Sequence, residues 1–230
     1  MEIQGVDTQC RGVPLWSPST GQAQGQPLLH EIPKTRSYDR QMKQIYVTYD
    51  RQKNLISDAF KYCPFCREPL QLVESGRQLR PTCPVCGFIQ FRNPAPAVTV
   101  LVAKQDQVLL GRRAGSPGAN KWSLPSGYIE YDEDFLSTAR REVMQETGLN
   151  IQIQTIMNVE SAFLSPQYHF LTIYLLAHVV GGELQAGDDF TAVAWFPSTG
   201  PLPVMAFPQD GVLIRDYAQE SLQGLPVDPE

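Results

Sequence analysis

The sequence predicts an α/β fold, preceded by a small ribbon built around four cysteines. Three observations carry that reading. Between residues 94 and 230, apolar runs of strand length alternate with helical patterns. Ahead of them, Cys63-Pro64-Phe65-Cys66 and Cys83-Pro84-Val85-Cys86 stand sixteen residues apart, a spacing suited to a two-knuckle metal site. Finally, 42% of the 230 residues are apolar and 19% charged, enough to close a packed core and to exclude wholesale disorder.

The elements follow in order. Residues 1–60 form an N-terminal extension. Its segment Ser17–Pro27 is dominated by Gln, Gly, Ser and Pro, which bury too little apolar surface to offset chain entropy, so flexibility is expected there. From Tyr38 to Phe60 the apolar residues fit both helical and strand periods, and the element type stays open. Residues 61–93 are the ribbon and residues 94–230 the α/β domain. Within that domain, Ala97–Ala103 and Gln107–Arg112 read as strands around the polar turn Lys104-Gln105-Asp106. A helix is predicted over Glu133–Thr147, with acids in its first turn and Gly148 ending it. Ile151–Ile156, Tyr168–Val180 and Val193–Phe196 read as strands, and Gly211–Glu220 as a last helix.

In the ribbon, each Cys-x2-Cys turn brings two thiolates to one ion about 2.3 Å away, and two such turns complete a tetrahedron. Cys63, Cys66, Cys83 and Cys86 are therefore expected to hold Zn²⁺. Four thiolates close the shell, so this ion is structural and carries no reactive water. Cys10 is the fifth cysteine and reads as a spare thiol. A metal site rather than a disulfide framework points to a reducing compartment, and a cytoplasmic location is expected.

Other classes are set aside on composition. Nineteen Lys+Arg against 24 Asp+Glu leave a net charge of −5, so nucleic-acid binding by bulk charge is not expected. The most apolar run, Leu171–Val180, is far shorter than the ~20 residues of a spanning helix, and neither a membrane nor a secretory signal is expected.

The chemistry concentrates on the first helix. Glu142, Gln145 and Glu146 are i, i+3 and i+4, which sets them on one face a single turn apart. Phe135, Leu136, Ala139 and Val143 form a separate stripe suited to packing on a sheet. Two adjacent glutamates repel each other unless a cation lies between them, and a hard divalent ion suits carboxylate oxygen. A solvated helix face is the alternative. The glycine loop in front and the second acid pair, Glu130 and Glu133, favour the metal.

Gly127, five residues, Glu133, seven residues, then Arg141-Glu142-Val143-Met144-Gln145-Glu146-Thr147-Gly148-Leu149 resembles the 23-residue box of the Nudix hydrolases. The one departure is Gln145, where that pattern has a second glutamate. The lead-in Leu109-Leu110, Arg112 and Trp122-Ser123-Leu124-Pro125 is similar too. The ribbon, Phe91-Arg92-Asn93-Pro94, and Leu202-Pro203 with Ala206-Phe207 narrow the resemblance to zinc-ribbon members acting on FAD, NADH or ADP-ribose.

The resemblance implies an α/β/α sandwich with a mixed sheet and Mg²⁺- or Mn²⁺-dependent cleavage of a nucleoside diphosphate linked to another group. It implies that Glu142 and Glu146 hold the ion with the Gly127 carbonyl, that Arg141 braces Glu133, and that Glu130 joins an outer shell. Gln145 is uncharged and cannot take a proton; the resemblance implies that the base is an acid outside the box. Asp189 is the first candidate, with Asp188 and Glu160 behind it. Arg112, Phe163 and Tyr168 are expected to meet substrate, with Phe170 a further aromatic for stacking on a ring.

Ser161–Pro166 lacks the Gln and Trp of NADH-directed members, and Pro166 lies near a proline of ADP-ribose-directed ones. The partner is a small-molecule nucleotide, and a homodimer is one assembly considered. The competing readings are a house-cleaning hydrolase of nucleoside triphosphates, an RNA-cap hydrolase, and a non-catalytic regulatory module.

Overall fold

The computed structural model describes residues 60–76, 78–165, 168–219 and 224–227. Contacts divide these into a unit ending at Asn93 and a unit beginning at Pro94. The expectations for residues 1–59, Cys10 among them, lie outside the described residues.

In the first unit, β1 (Gln71–Ser75) pairs antiparallel with β2 (Gln78–Thr82), from Gln71 opposite Thr82 to Ser75 opposite Gln78. Each end of this hairpin carries a cysteine turn, and the two turns close alike. Arg67 N donates to Cys63 O at 2.9 Å and Gly87 N to Cys83 O at 3.1 Å. The residue after each second cysteine is left-handed, at φ 64° for Arg67 and 75° for Gly87. Leu72, Val73 and Leu79 are exposed, so apolar burial contributes little to this unit.

The second unit is a mixed sheet with a helix on each face. Its strands are β3 (Ala95–Lys104), β4 (Gln107–Arg113), β5 (Trp122–Ser123), β6 (Ser126–Tyr128), β7 (Leu149–Ser165), β8 (Tyr168–Gly182), β9 (Phe190–Pro197) and β10 (Leu225–Pro226). They run in the order β10-β7-β8-β3-β4-β5, with β6 on β3 and β9 on β4. β3 and β8 are parallel from Ala95 opposite Phe170 to Ala103 opposite His178, and the other pairings are antiparallel.

Helix α1 (Phe135–Thr147) covers one face and α2 (Pro208–Ala218) the other. Val98, Val100, Val102 and Leu109 pack with Ala139 and Val143. Their alternate neighbours Leu101, Val108 and Leu110 pack with Leu213 and Ile214. Burial on both faces is why β3 reads as an unbroken apolar run. The result is an α/β/α sandwich. Among the described residues no helix is long and apolar enough to cross a membrane.

Several boundaries differ from expectation. α1 starts at Phe135, not Glu133, and its first turn holds no acid. Asp134 is instead its N-cap, accepting from Leu136 N at 2.8 Å and Ser137 N at 3.0 Å. Gly148 ends the helix in the left-handed conformation, at φ 71°. β7 runs on to Ser165 through register shifts near Ile156 and Phe163. Its polar Asn158 and Glu160 interrupt the apolar pattern, which hid the second half. α2 begins at Pro208, a residue preorganised for the first helical position.

Asp210 locks α2 to the strand connection, its Oδ2 accepting from Leu124 N at 3.0 Å while only 3% exposed. Burial pushes its carboxyl up to about 7, against the pull of Leu124 N–H and Arg113 and with Glu160 adding repulsion. The folded protein therefore holds this proton to higher pH than the unfolded chain. Its effect lowers stability as pH rises from about 4 to about 7. Urea titrations across that window should show Asp210→Asn with a flatter decline than wild type. An unchanged slope would mean that Asp210 is ionised in the fold.

Candidate active site

α1 stands beside β6, and the glycine in that strand decides how near. Gly127 pairs with Val98 of β3, and a Cβ built on it would overlap the Glu142 carboxylate. Only a residue without a side chain lets Glu142 lie against this backbone. Glu146, one turn further on, is 2% exposed and accepts from Ser126 N at 3.0 Å.

Arg141 ties the loop before α1 to the helix. Its Nε and Nη2 donate to the two oxygens of Glu133, each at 2.7 Å. Nη1 donates to Glu142 Oε1 at 2.7 Å and to Gln145 Oε1 at 3.0 Å, and Nη2 to Tyr128 O at 3.3 Å. The expected Arg141–Glu133 contact is thus present. The shared face of Glu142, Gln145 and Glu146 is less simple, because exposed Gln145 directs its carbonyl oxygen at Arg141.

Charge crowds here. Burial raises the Glu142 carboxyl, Arg141 opposes that, and Asp188 and Glu133 add repulsion. Glu146 is pushed up to about 9, chiefly by burial, with Glu142 and Asp189 raising it further and Ser126 N–H opposing. Glu133, held by Arg141, moves down. A set of hard oxygen donors with surplus negative charge fits Mg²⁺ or Mn²⁺.

The box helix meets a cleft of about 680 Å³ through Glu142, whereas Glu133, Arg141, Gln145 and Glu146 are absent from its lining. Gly127, Glu130, Glu142, Asp188 and Asp189 line it, as do Phe163 and Phe170. Glu160 lines it too, 2% exposed, with Oε2 accepting from Tyr174 Oη at 2.7 Å. Arg112 and Tyr168 are absent from its lining. Arg112 is exposed and donates to Thr191 Oγ1 at 3.2 Å. A bulge at Arg112/Arg113 re-aims β4, and it is Arg113 that reaches the cleft, beside the Phe207 ring at 5.3 Å. Tyr168, 62% exposed, opens β8 at the hairpin end.

Sequence reasoning missed Arg113, Tyr174 and Asp210 in the lining. Arg113 is displaced by a bulge that leaves no local signal, Tyr174 falls inside a segment read as a strand, and Asp210 stands just before the segment read as the last helix.

In the ribbon unit, the four cysteine sulfurs lie within 4.8 Å of one another. Cys63–Cys86 and Cys66–Cys83 are 3.5 and 3.3 Å apart, and Cys66–Cys86 is 3.6 Å. A tetrahedral ion with bonds of about 2.3 Å sets its sulfurs about 3.8 Å apart, so the cluster matches a zinc-sized centre.

Gly127→Ala tests the close approach at the box. The colliding atoms belong to the end of a flexible side chain, so the fold should survive with its melting temperature nearly unchanged. Displacement of Glu142 should lower turnover by about a hundredfold. Turnover within a few-fold of wild type would show that Glu142 needs no such placement.

A profile of the NUDIX domain matches residues 93–217. A Methanocaldococcus jannaschii protein named ADP-ribose pyrophosphatase is 33% identical over 128 residues, 55% of this chain and 75% of that protein. A Pasteurella multocida protein named NAD-capped RNA hydrolase NudC is 28% identical over 167 residues, 71% of this chain but only 60% of its own length. A crystal structure of a NUDIX hydrolase from Nitrosomonas europaea shares the fold with a TM-score of 0.61 at 24% identity, covering 70% of this chain and 92% of that one. The match spans more than half of the chain and includes the helix, the glycine strand and the arginine brace described above, and the chain belongs to the Nudix family of pyrophosphohydrolases.

Proposed function

We propose that this chain hydrolyses the pyrophosphate bond of a nucleoside diphosphate linked to a second group, with ADP-ribose the first substrate to try. The observation that carries this reading is the placement of Glu142 against Gly127 in the lining of the cleft, with Glu146 one turn further along the same helix and held by Ser126 N. The similarity to the archaeal ADP-ribose pyrophosphatase supports the choice of substrate.

In this reading Glu142, Glu146 and the Gly127 carbonyl would hold Mg²⁺ or Mn²⁺, which would supply Lewis-acid polarisation of the pyrophosphate, a more acidic water and charge compensation for the leaving phosphate. Arg141 keeps Glu142 aligned, with Glu133 and the Gln145 carbonyl fixing the guanidinium in turn. Asp189 takes the proton from the attacking water; its own carbonyl is anchored by Ala114 N at 2.8 Å. Arg113, rather than Arg112, faces the anionic part of the substrate, and Phe163 supplies an aromatic wall. A second reading, hydrolysis of a nucleotide cap on RNA, is favoured by the longer match to the NudC relative.

A substrate panel separates these readings. ADP-ribose, FAD, NADH, a dinucleoside polyphosphate, 8-oxo-dGTP and NAD-capped RNA are offered with Mg²⁺ or Mn²⁺, and products are weighed. ADP-ribose should give AMP and ribose 5-phosphate. Glu146→Gln should cut the best rate by roughly 10²–10³-fold. Retention of more than about a tenth of the rate would misplace the metal site.

The ribbon cysteines hold zinc in this reading. Protein purified without chelator should contain about one zinc per chain, and Cys83→Ser should lose it. Zinc-free protein with an intact ribbon would overturn that assignment.

A further inference from the structure

The cleft contains a second group of acids whose setting differs from that of the box. Glu160 is 2% exposed, and only one of its oxygens has a partner: Tyr174 donates to Oε2, while Oε1 is buried with none. A lone buried acceptor on a residue that lines a cleft is a place for a ligand's donor, because no protein group meets it. Its electrostatic neighbours also set it apart. Beyond the effect of burial, Glu142 and Glu146 are raised by Glu133, Asp188 and Asp189, whereas the Glu160 charge is felt by Tyr174 and Asp210, with Arg113 acting on both Glu146 and Asp210.

Strand register places aromatic surface next to this acid. Glu160 lies opposite Thr172, and two residues along Ala162 lies opposite Phe170. All four line the cleft, with Phe163 beyond them. Phe170 is fixed by stacking with Tyr128, centroids 5.7 Å apart. A flat ring against these side chains would bring its polar edge towards Glu160.

We propose that Glu160, positioned by Tyr174, is a specificity-determining residue that accepts a hydrogen bond from an N–H group on the edge of the substrate's nucleobase. The proposal rests on the nucleotide reading above and assigns Glu160 to recognition rather than to proton abstraction from water. Tyr174 occupies Oε2, so the vacant Oε1 gives the contact one direction. A base that offers an amino or ring N–H there completes the pair. A base with only ring acceptors leaves Oε1 unpaired.

The test measures binding by calorimetry, so it does not depend on turnover. Wild type is titrated with AMP, GMP, CMP and UMP, and then with the analogue of the best ligand that lacks its N–H donor, such as purine riboside 5′-monophosphate for AMP. The analogue should bind about tenfold more weakly or worse. Glu160→Gln keeps the shape but exchanges acceptor for donor on one atom, and it should shrink that preference to about twofold or less. Equal binding of ligand and analogue by wild type overturns the proposal, as does a preference that survives in Glu160→Gln. Failure of all four mononucleotides to bind overturns it as well. If the variant does not fold, the wild-type comparison decides alone. A wild type that discriminates between bases yet hydrolyses nothing in the substrate panel would refute the catalytic reading while leaving this one standing.

Discussion

The guanidinium of Arg141 is the interaction on which the site depends. It joins Glu133 and the Tyr128 carbonyl, both ahead of α1, to Glu142 and Gln145 on the helix. A planar fork can meet Glu133 with two parallel bonds and still have Nη1 left for the helix, which a lysine cannot do. Through it the loop, the helix and the glycine strand share one geometry. The Asp134 cap immediately after Glu133 fixes where the helix begins, so the loop has little freedom to pull away.

That brace does not neutralise the site. Glu146 is buried with a single backbone donor, and Glu142 competes for Arg141 with Glu133 and Gln145. Burial raises both carboxyls, that of Glu142 in spite of its ion pair with Arg141. A fold built for stability alone would gain from replacing them with apolar residues. Their presence on the helix beside a glycine strand suits a protein that completes its charge balance with a divalent ion.

Gln145 fits this balance in a specific way. A glutamate there would present a second carboxylate to the same Nη1 that holds Glu142. The neutral amide offers Arg141 an acceptor without adding to the repulsion around Glu146. The departure from the family pattern therefore falls on the arginine side of the helix.

Much of this was legible from the chain. The two cysteine turns, the apolar strands β3 and β4, and the Gly127-to-Leu149 spacing are local patterns, because the chemistry of each is set by residues within a turn or two. The Arg141–Glu133 contact was implied by the family resemblance, and the structure holds it at 2.7 Å. Other features were decided at a distance. A bulge in β4 brings Arg113 to the cleft in place of Arg112, and the pairing of β7 with β8 sets Tyr174 on Glu160, fourteen residues away. The acid Asp210 meets Leu124 N across 86 residues. Which polar side chain is buried, and which of its atoms is left without a partner, follows from the packing of strands and helices that are far apart in sequence. The sequence by itself determined the fold class and the acids of the box helix. Only the tertiary structure, by burying Glu160 and turning one of its oxygens from solvent, decided the character of the other end of the cleft.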